Sequence, residues 1–149
     1  MIDKCLEFLQ NKEYQKAIDC IKEAIEQEPN NAIFWHNLGY IYYEIEDLDN
    51  AITAIKNAIN INPNLSIAWT ELSSILIDKG KFEEALNACK KVLEINPKDE
   101  IAWANLGSAY YNIEKFDEAI DALNNALNIA PDLKFAKTVL DLTYKAMKR

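Results

Sequence analysis

Between Leu48 and Ile59 the apolar side chains fall at Leu48, Ala51, Ile52, Ile55, Ala58 and Ile59, one stripe along an amphipathic helix. The pattern predicts helices over roughly 14–28 and 32–45. It predicts turns at the acidic pair Glu46-Asp47 and at Pro63-Asn64, because proline cannot continue a helix. Trp35, Leu38, Ala51 and Pro63 return 34 residues later as Trp69, Leu72, Ala85 and Pro97, then again as Trp103, Leu106, Ala119 and Pro131. All three tryptophans and all four prolines, Pro29 included, sit on this one period. Tyr14, Leu48, Phe82 and Phe116, also 34 apart, place a bulky apolar residue at the start of each second helix. A fixed period of this length signals stacked helical hairpins, each too small to fold alone and stabilised by its neighbours.

The units differ in detail. In the first, Met1 stands where the later units carry tryptophan. Phe34, Leu38, Ile41 and Ile45 are expected to face the preceding hairpin. Counting back 34 residues from the last three gives Lys4, Glu7 and Asn11, which suit water, so the array is expected to begin here. The unit at 66–99 is the least regular: Ser73 replaces a glycine, Leu76 a tyrosine and Val92 an alanine, while Cys89 joins the core stripe. Gly80 is placed to end a helix in the left-handed conformation that glycine adopts readily. Lys134 to Arg149 reads as one last helix whose Lys137, Asp141 and Lys148 suit a face with no partner helix, as a terminal cap requires.

The spacing Trp35, Leu38, Gly39, Tyr42, repeated as Trp103, Leu106, Gly107, Tyr110, resembles the tetratricopeptide repeat family over essentially the whole chain. The resemblance implies an all-α, right-handed α-solenoid of stacked antiparallel helix pairs, about nine helices with the C-terminal cap. It is expected to form a single domain over 1–149: an N-terminal unit 1–31, full repeats 32–65, 66–99 and 100–133, and the capping helix 134–149. In the family's arrangement Gly39 faces Ala51, small residues that let two helix backbones approach.

Members of that family are mostly non-catalytic scaffolds whose first helices line a concave groove for an extended segment or helix of a partner. Its register places His36, Asn37, Tyr40, Tyr43 and Glu44 on the groove, with Ile33 beside them. The next unit supplies Thr70, Glu71, Ser74 and Asp78, with Ile67 and Ile77, and the last Asn105, Ser108, Tyr111 and Asn112, with Ile101 and Ala104. Asn37 and Asn105 are suited to pair with a peptide backbone, since an amide both donates and accepts. The tyrosines offer large contact area with little entropy to lose. Glu44, Glu71 and Asp78 make the floor acidic. Tyr42, Tyr110 and the tryptophans fall on the core stripe and are structural. Members that hold acidic chaperone tails use a clamp of Lys, Arg and Asn. The matching positions here are Ile2, Leu6, Asn37, Ile67 and Glu71, so only the asparagine survives and that use is excluded.

Charge narrows the partners. With 24 acidic and 16 basic side chains the net charge is −8, which disfavours nucleic acid, where Lys and Arg must replace counterions, and anionic membranes alike. A basic or apolar segment of another protein is the expected partner. No apolar run approaches membrane-spanning length and no secretory leader is apparent, so a cytoplasmic setting is expected. Cys5, Cys20 and Cys89, odd in number and scattered, are expected to be free core thiols in a reducing compartment.

Phe135, Val139, Leu142 and Ala146 form a stripe on the last helix. It either packs against Ala104 and Ser108 or leaves an apolar shelf for a partner or a second copy, giving a monomer or a weak homodimer. Chemistry finds no foothold. A lone His36, though near Glu44 and Tyr40, lacks a convergent pocket, and one histidine with dispersed cysteines makes no metal set, so neither catalysis nor a cofactor is expected.

Overall fold

A computed structural model describes residues 1–149. Nine helices follow one another with no strand: α1 (Ile2–Gln10), α2 (Tyr14–Gln27), α3 (Ala32–Glu44), α4 (Leu48–Ile61), α5 (Ser66–Asp78), α6 (Phe82–Ile95), α7 (Glu100–Asn112), α8 (Phe116–Ile129) and α9 (Lys134–Met147). The bulky residues at 14, 48, 82 and 116 each open a second helix, as the period requires. The chain forms two compact units, Met1–Glu71 and Leu72–Arg149, which divide within α5.

Two kinds of connection recur. After the first helix of each hairpin one residue takes a positive φ: Lys12 (58°), Glu46 (62°), Gly80 (76°) and Glu114 (62°). The following amide then bonds back to the helix, as Asp47 N–H to the Tyr42 carbonyl at 2.9 Å and Lys81 N–H to the Leu76 carbonyl at 2.8 Å. This closes the helix end. Only Gly80 adopts that conformation without a Cβ penalty. The connection between hairpins is pinned differently. Each tryptophan indole N–H donates to a proline carbonyl six residues before it: Trp35 to Pro29 at 3.0 Å, Trp69 to Pro63 and Trp103 to Pro97 both at 2.8 Å. The tryptophans therefore pack and also tie the turn. Asn31, Asp47 and Asp99 side chains accept from helix-starting amides and cap α3, α4 and α7.

In unit 1, Cys5, Ala17, Ile18, Ile21, Ile25, Leu38, Ile41 and Ala54 make the core, with Phe8, Phe34, Trp35 and Tyr42 packed against it. Fully burying one such isoleucine is worth about 1.5–3 kcal/mol. A Cβ on Gly39 would lie 2.6 Å from Ile55 Cδ1 and 3.2 Å from the Ala51 carbonyl oxygen, so α3 and α4 touch there with no room for a side chain. Ile45, expected to face the preceding hairpin, is instead exposed, because α3 stops at Glu44 and Ile45 lies in the turn.

The cysteine expectation is corrected in this unit: Cys5 and Cys20 are joined by a disulfide. The repeat explains why. Shifting by 34 residues, Cys5 takes the place of Gly39 and Cys20 that of Ala54, two small residues on helices that approach closely. Positions 15 residues apart in sequence are thereby brought to a Cα separation of 5.4 Å, a distance natural for a disulfide.

In unit 2, Ala104, Ala119, Leu123, Ala126, Ala136 and Val139 form a core cluster with Trp103 and Tyr110 against it. Gly107 repeats the close approach, its virtual Cβ 2.5 Å from Leu123 Cγ. Cys89 is a buried free thiol, pushed up to about 12 by burial, with a hydrogen bond to Ser73 pulling the other way. It is inert at neutral pH. The stripe of α9 splits: Ala136, Val139 and Thr143 are buried, while Phe135 is 46% and Leu142 42% exposed. Lys137, Asp141 and Lys148 lie on the solvent side.

Candidate functional site

The residues assigned to the groove sit on α3, α5 and α7. In unit 1, α3 carries His36, Tyr40, Tyr43 and Glu44 at helical spacing, with Asn37 alongside. His36 is only 7% exposed, Tyr40 and Tyr43 are half-buried and Glu44 is exposed. The Tyr40 hydroxyl donates to the Glu44 carboxylate. Burial first and then the charge of Glu44 raise its pKa above the usual phenol value. Thr70 Oγ1 donates to the Ser66 carbonyl at 3.1 Å and so is partly committed within α5. Glu71 is half-buried, and its carboxyl is pushed up to about 7, chiefly by burial and secondly by Glu44.

Two atoms of this group stand out. Glu71 Oε2 and His36 Nε2 are buried and have no hydrogen-bond partner, an uncommon condition because buried polar atoms are nearly always paired. Burial lowers the His36 pKa, opposed by a hydrogen bond with Asn37, so the ring is neutral at pH 7.

In unit 2 the corresponding groups are closed off. Asn105 is 6% exposed, and its amide donates to Ser73 Oγ at 3.0 Å and Ser74 Oγ at 3.1 Å. The group expected to pair with a peptide backbone thus has its donor side engaged between helices. Ser108 is buried as well, and its carbonyl accepts from Asn112 Nδ2 at 2.8 Å. Tyr111 is half-buried with its ring 6.2 Å from that of Phe116. Asp78 is exposed. On α9, Val139 belongs to the core beside Ala104, and Phe135 and Leu142 remain as exposed apolar residues. A shift by whole repeats could have flagged Asn105, because Ser73 and Ser74 stand where Gly39 and Tyr40 do.

No group of three or more His, Cys, Asp or Glu residues is arranged to hold a metal ion. No helix is long and apolar enough to cross a membrane.

Comparisons with known proteins agree on the fold. Tetratricopeptide repeat family models match residues 6–46, 32–65 and 76–138. Among curated protein sequences none matches significantly. Among solved structures, MamA 41-end from Desulfovibrio magneticus RS-1 is similar at a TM-score of 0.84 and 20% identity, covering 98% of this chain and 88% of that one. YrrB, described as a TPR protein with an unusual peptide-binding site, aligns at 0.80 and 25% identity over 88% of this chain and 68% of its own. The first TPR of Spaghetti (RPAP3), bound to the HSP90 peptide SRMEEVD, aligns at 0.76 and 21% identity over 79% of this chain and 94% of that one. With the 34-residue frame, its tryptophan–proline ties and nine helices in hand, the fold is an all-α helical solenoid and the chain belongs to the tetratricopeptide repeat family.

Proposed function

We propose that the chain is a non-catalytic adaptor that holds a segment or helix of a partner protein on its first-helix faces. The face of unit 1, with Asn37, Tyr40, Tyr43, Glu44, Thr70 and Glu71, is the principal surface, and His36 sits beneath it. The observation that carries this is the pairing of aromatic area with acidic groups on α3: half-buried Tyr40 and Tyr43 beside an exposed Glu44. Aromatic side chains supply contact energy at low entropic cost, and carboxylates favour a basic segment. Unit 2 offers a smaller face of its own at Ser74, Asp78, Tyr111 and Asn112, with Asn105 and Ser108 left to structure. Two structural relatives, YrrB and the RPAP3 domain, are peptide-binding by their own descriptions, which supports the same class of work here. The setting we assign is cytoplasmic, where the Cys5–Cys20 bond faces reducing conditions.

Selection of random peptides on the immobilised chain tests this. The expected result is a set of Lys- or Arg-containing peptides that lose at least about tenfold in affinity for Asn37→Ala/Tyr40→Ala, consistent with loss of contact residues. Peptides that bind both forms equally would overturn it.

A second reading rests on α9, where Phe135 and Leu142, seven residues apart on one helix face, are both exposed. Exposed apolar groups of this kind suit a second copy of the chain. Sedimentation at rising concentration should then show a dimer that Leu142→Asp abolishes without unfolding.

A further inference from the structure

The first hairpin is held differently from the three that follow. Each later hairpin opens on a tryptophan whose indole ties the turn before it, whereas Met1 stands at that place in the first. The bond between Cys5 on α1 and Cys20 on α2 is the covalent tie there. Without it α1 has little to hold it. It has nine residues and no side-chain N-cap, and helices shorter than about 12–15 residues are marginal alone in water. Its Ile2, Phe8 and Leu9 lie against the core of unit 1 but are only partly buried.

The two sulfur-bearing residues are not equivalent. Cys5 is 1% exposed and belongs to the core. Cys20 is half-buried and lines a cavity of about 500 Å³, between Lys4 and Phe8 of α1 and Lys16, Asp19 and Glu23 of α2. Sites for small organic molecules run to about 300–1,000 Å³. Charges of both signs surround Cys20: Lys4, Asp19 and Glu23 are exposed, and Lys16 pairs with Glu13 while lying 5.7 Å from the centre of the Phe8 ring.

We propose that this cavity is a thiol-exchange site, where a small thiol carrying both ammonium and carboxylate groups attacks Cys20 Sγ and frees α1 from α2. The inference stands apart from the adaptor function. Lys4 and Lys16 draw the carboxylates of such a molecule, and Asp19 and Glu23 its ammonium. The incoming thiolate forms a new S–S bond to Cys20 as the Cys5–Cys20 bond breaks. The electron pair leaves on Cys5 Sγ, which then takes up a proton. Attack must reach the sulfur that is bonded, and buried Cys5 offers no such path, so the adduct forms on Cys20. A second thiolate attacking the ligand sulfur of that mixed disulfide releases Cys20, so two thiols become one disulfide as the protein bond is reduced. In reverse, the Cys5 thiolate expels the ligand and docks α1 again.

The test uses the full chain, isolated without reductant, and glutathione as probe. Before exposure, N-ethylmaleimide in denaturant should label Cys89 and neither of the other cysteines. After brief exposure, acid quenching and the same labelling, peptide mass mapping should find glutathione on Cys20 and maleimide on Cys5. Adducts on Cys20 should exceed those on Cys5 at least about tenfold, since access selects the sulfur attacked; an even division, or a majority on Cys5, would overturn the site. In Cys5→Ala, oxidised glutathione should build the same Cys20 adduct at least about tenfold faster than it modifies Cys5 in Cys20→Ala. Equal rates in two variants that circular dichroism shows folded would also overturn it, and if either unfolds the adduct map of the parent decides. Lys4→Gln/Lys16→Gln should lower the rate with glutathione relative to neutral 2-mercaptoethanol by about threefold, the scale of exposed ion pairs. An unchanged ratio would overturn the choice of a charged thiol. Amides of α1 should exchange at least about tenfold faster in the Cys20 adduct of Cys5→Ala than in the parent, and equal exchange would overturn the release of α1.

Discussion

Glu71 and Asn105 stand at one position of the same repeat and meet opposite fates. In unit 2 the asparagine donates to two serines and disappears into the interior. In unit 1 a glycine and a tyrosine replace those serines, and the glutamate keeps a buried oxygen unsatisfied. Unit 2 has spent its polar groups on holding helices together. Unit 1 leaves two buried polar atoms unpaired, and is reinforced instead by a covalent bond between Cys5 and Cys20. A repeat thus lets one position be satisfied in one copy and left unsatisfied in another, because the backbone frame is held by tryptophan, proline and small residues elsewhere.

The comparison can be broken most forcefully at the disulfide. Reduction, or Cys5→Ala/Cys20→Ala, should destabilise by about 2–4 kcal/mol, as expected for closing a short loop. Amide exchange should show the loss concentrated in α1 and α2, with unit 2 much less affected; uniform loss would contradict the division of labour. Next in size, Asn105→Ala should cost about 1–3 kcal/mol by chemical denaturation, since it removes the buried donor shared by two serines. Gly107→Ala should cost a similar amount, about 1–3 kcal/mol, through the clash with Leu123.

Glu71 should respond to pH in the opposite sense to an ordinary paired carboxylate. Its folded pKa is raised, from 4.5 to about 7. The folded state therefore holds the extra proton between those values, and stability falls as pH rises through that window. The drop should be about 2 kcal/mol once partial solvent screening is allowed for. His36, with a lowered pKa, acts the other way, adding stability as pH rises towards 6.5. The difference between parent and Glu71→Gln isolates the carboxyl, and a flat difference would show that it is not held neutral. The smallest effect lies in the turns. Glu46→Gly and Glu114→Gly, relieving positive φ in one unit each, should stabilise by about 0.5–1 kcal/mol, and thermal melting should show it.

Much of the groove assignment was legible only as a set of positions. The tetratricopeptide register located α3, α5 and α7 and the residues on them, and the structure keeps Tyr40, Tyr43 and Glu44 on an accessible face. It puts His36, Asn105 and Ser108 inside. A period identifies which residues are equivalent, but exposure depends on the size of whatever the neighbouring helix presents. The same limit applies to α9, where one apolar stripe divides into buried Val139 and exposed Phe135 and Leu142.

What the chain determined by itself was local. Apolar spacing, the bulky residue opening each second helix, and the recurring Trp-to-Pro interval specify helices, turns and hairpins through contacts within a few residues or one period. Tertiary structure decided which polar groups found partners and which cysteines met. Both outcomes depend on two helices being brought within hydrogen-bond or covalent reach; the 34-residue shift names which positions face each other, but side-chain volumes at the crossing set the distance between them.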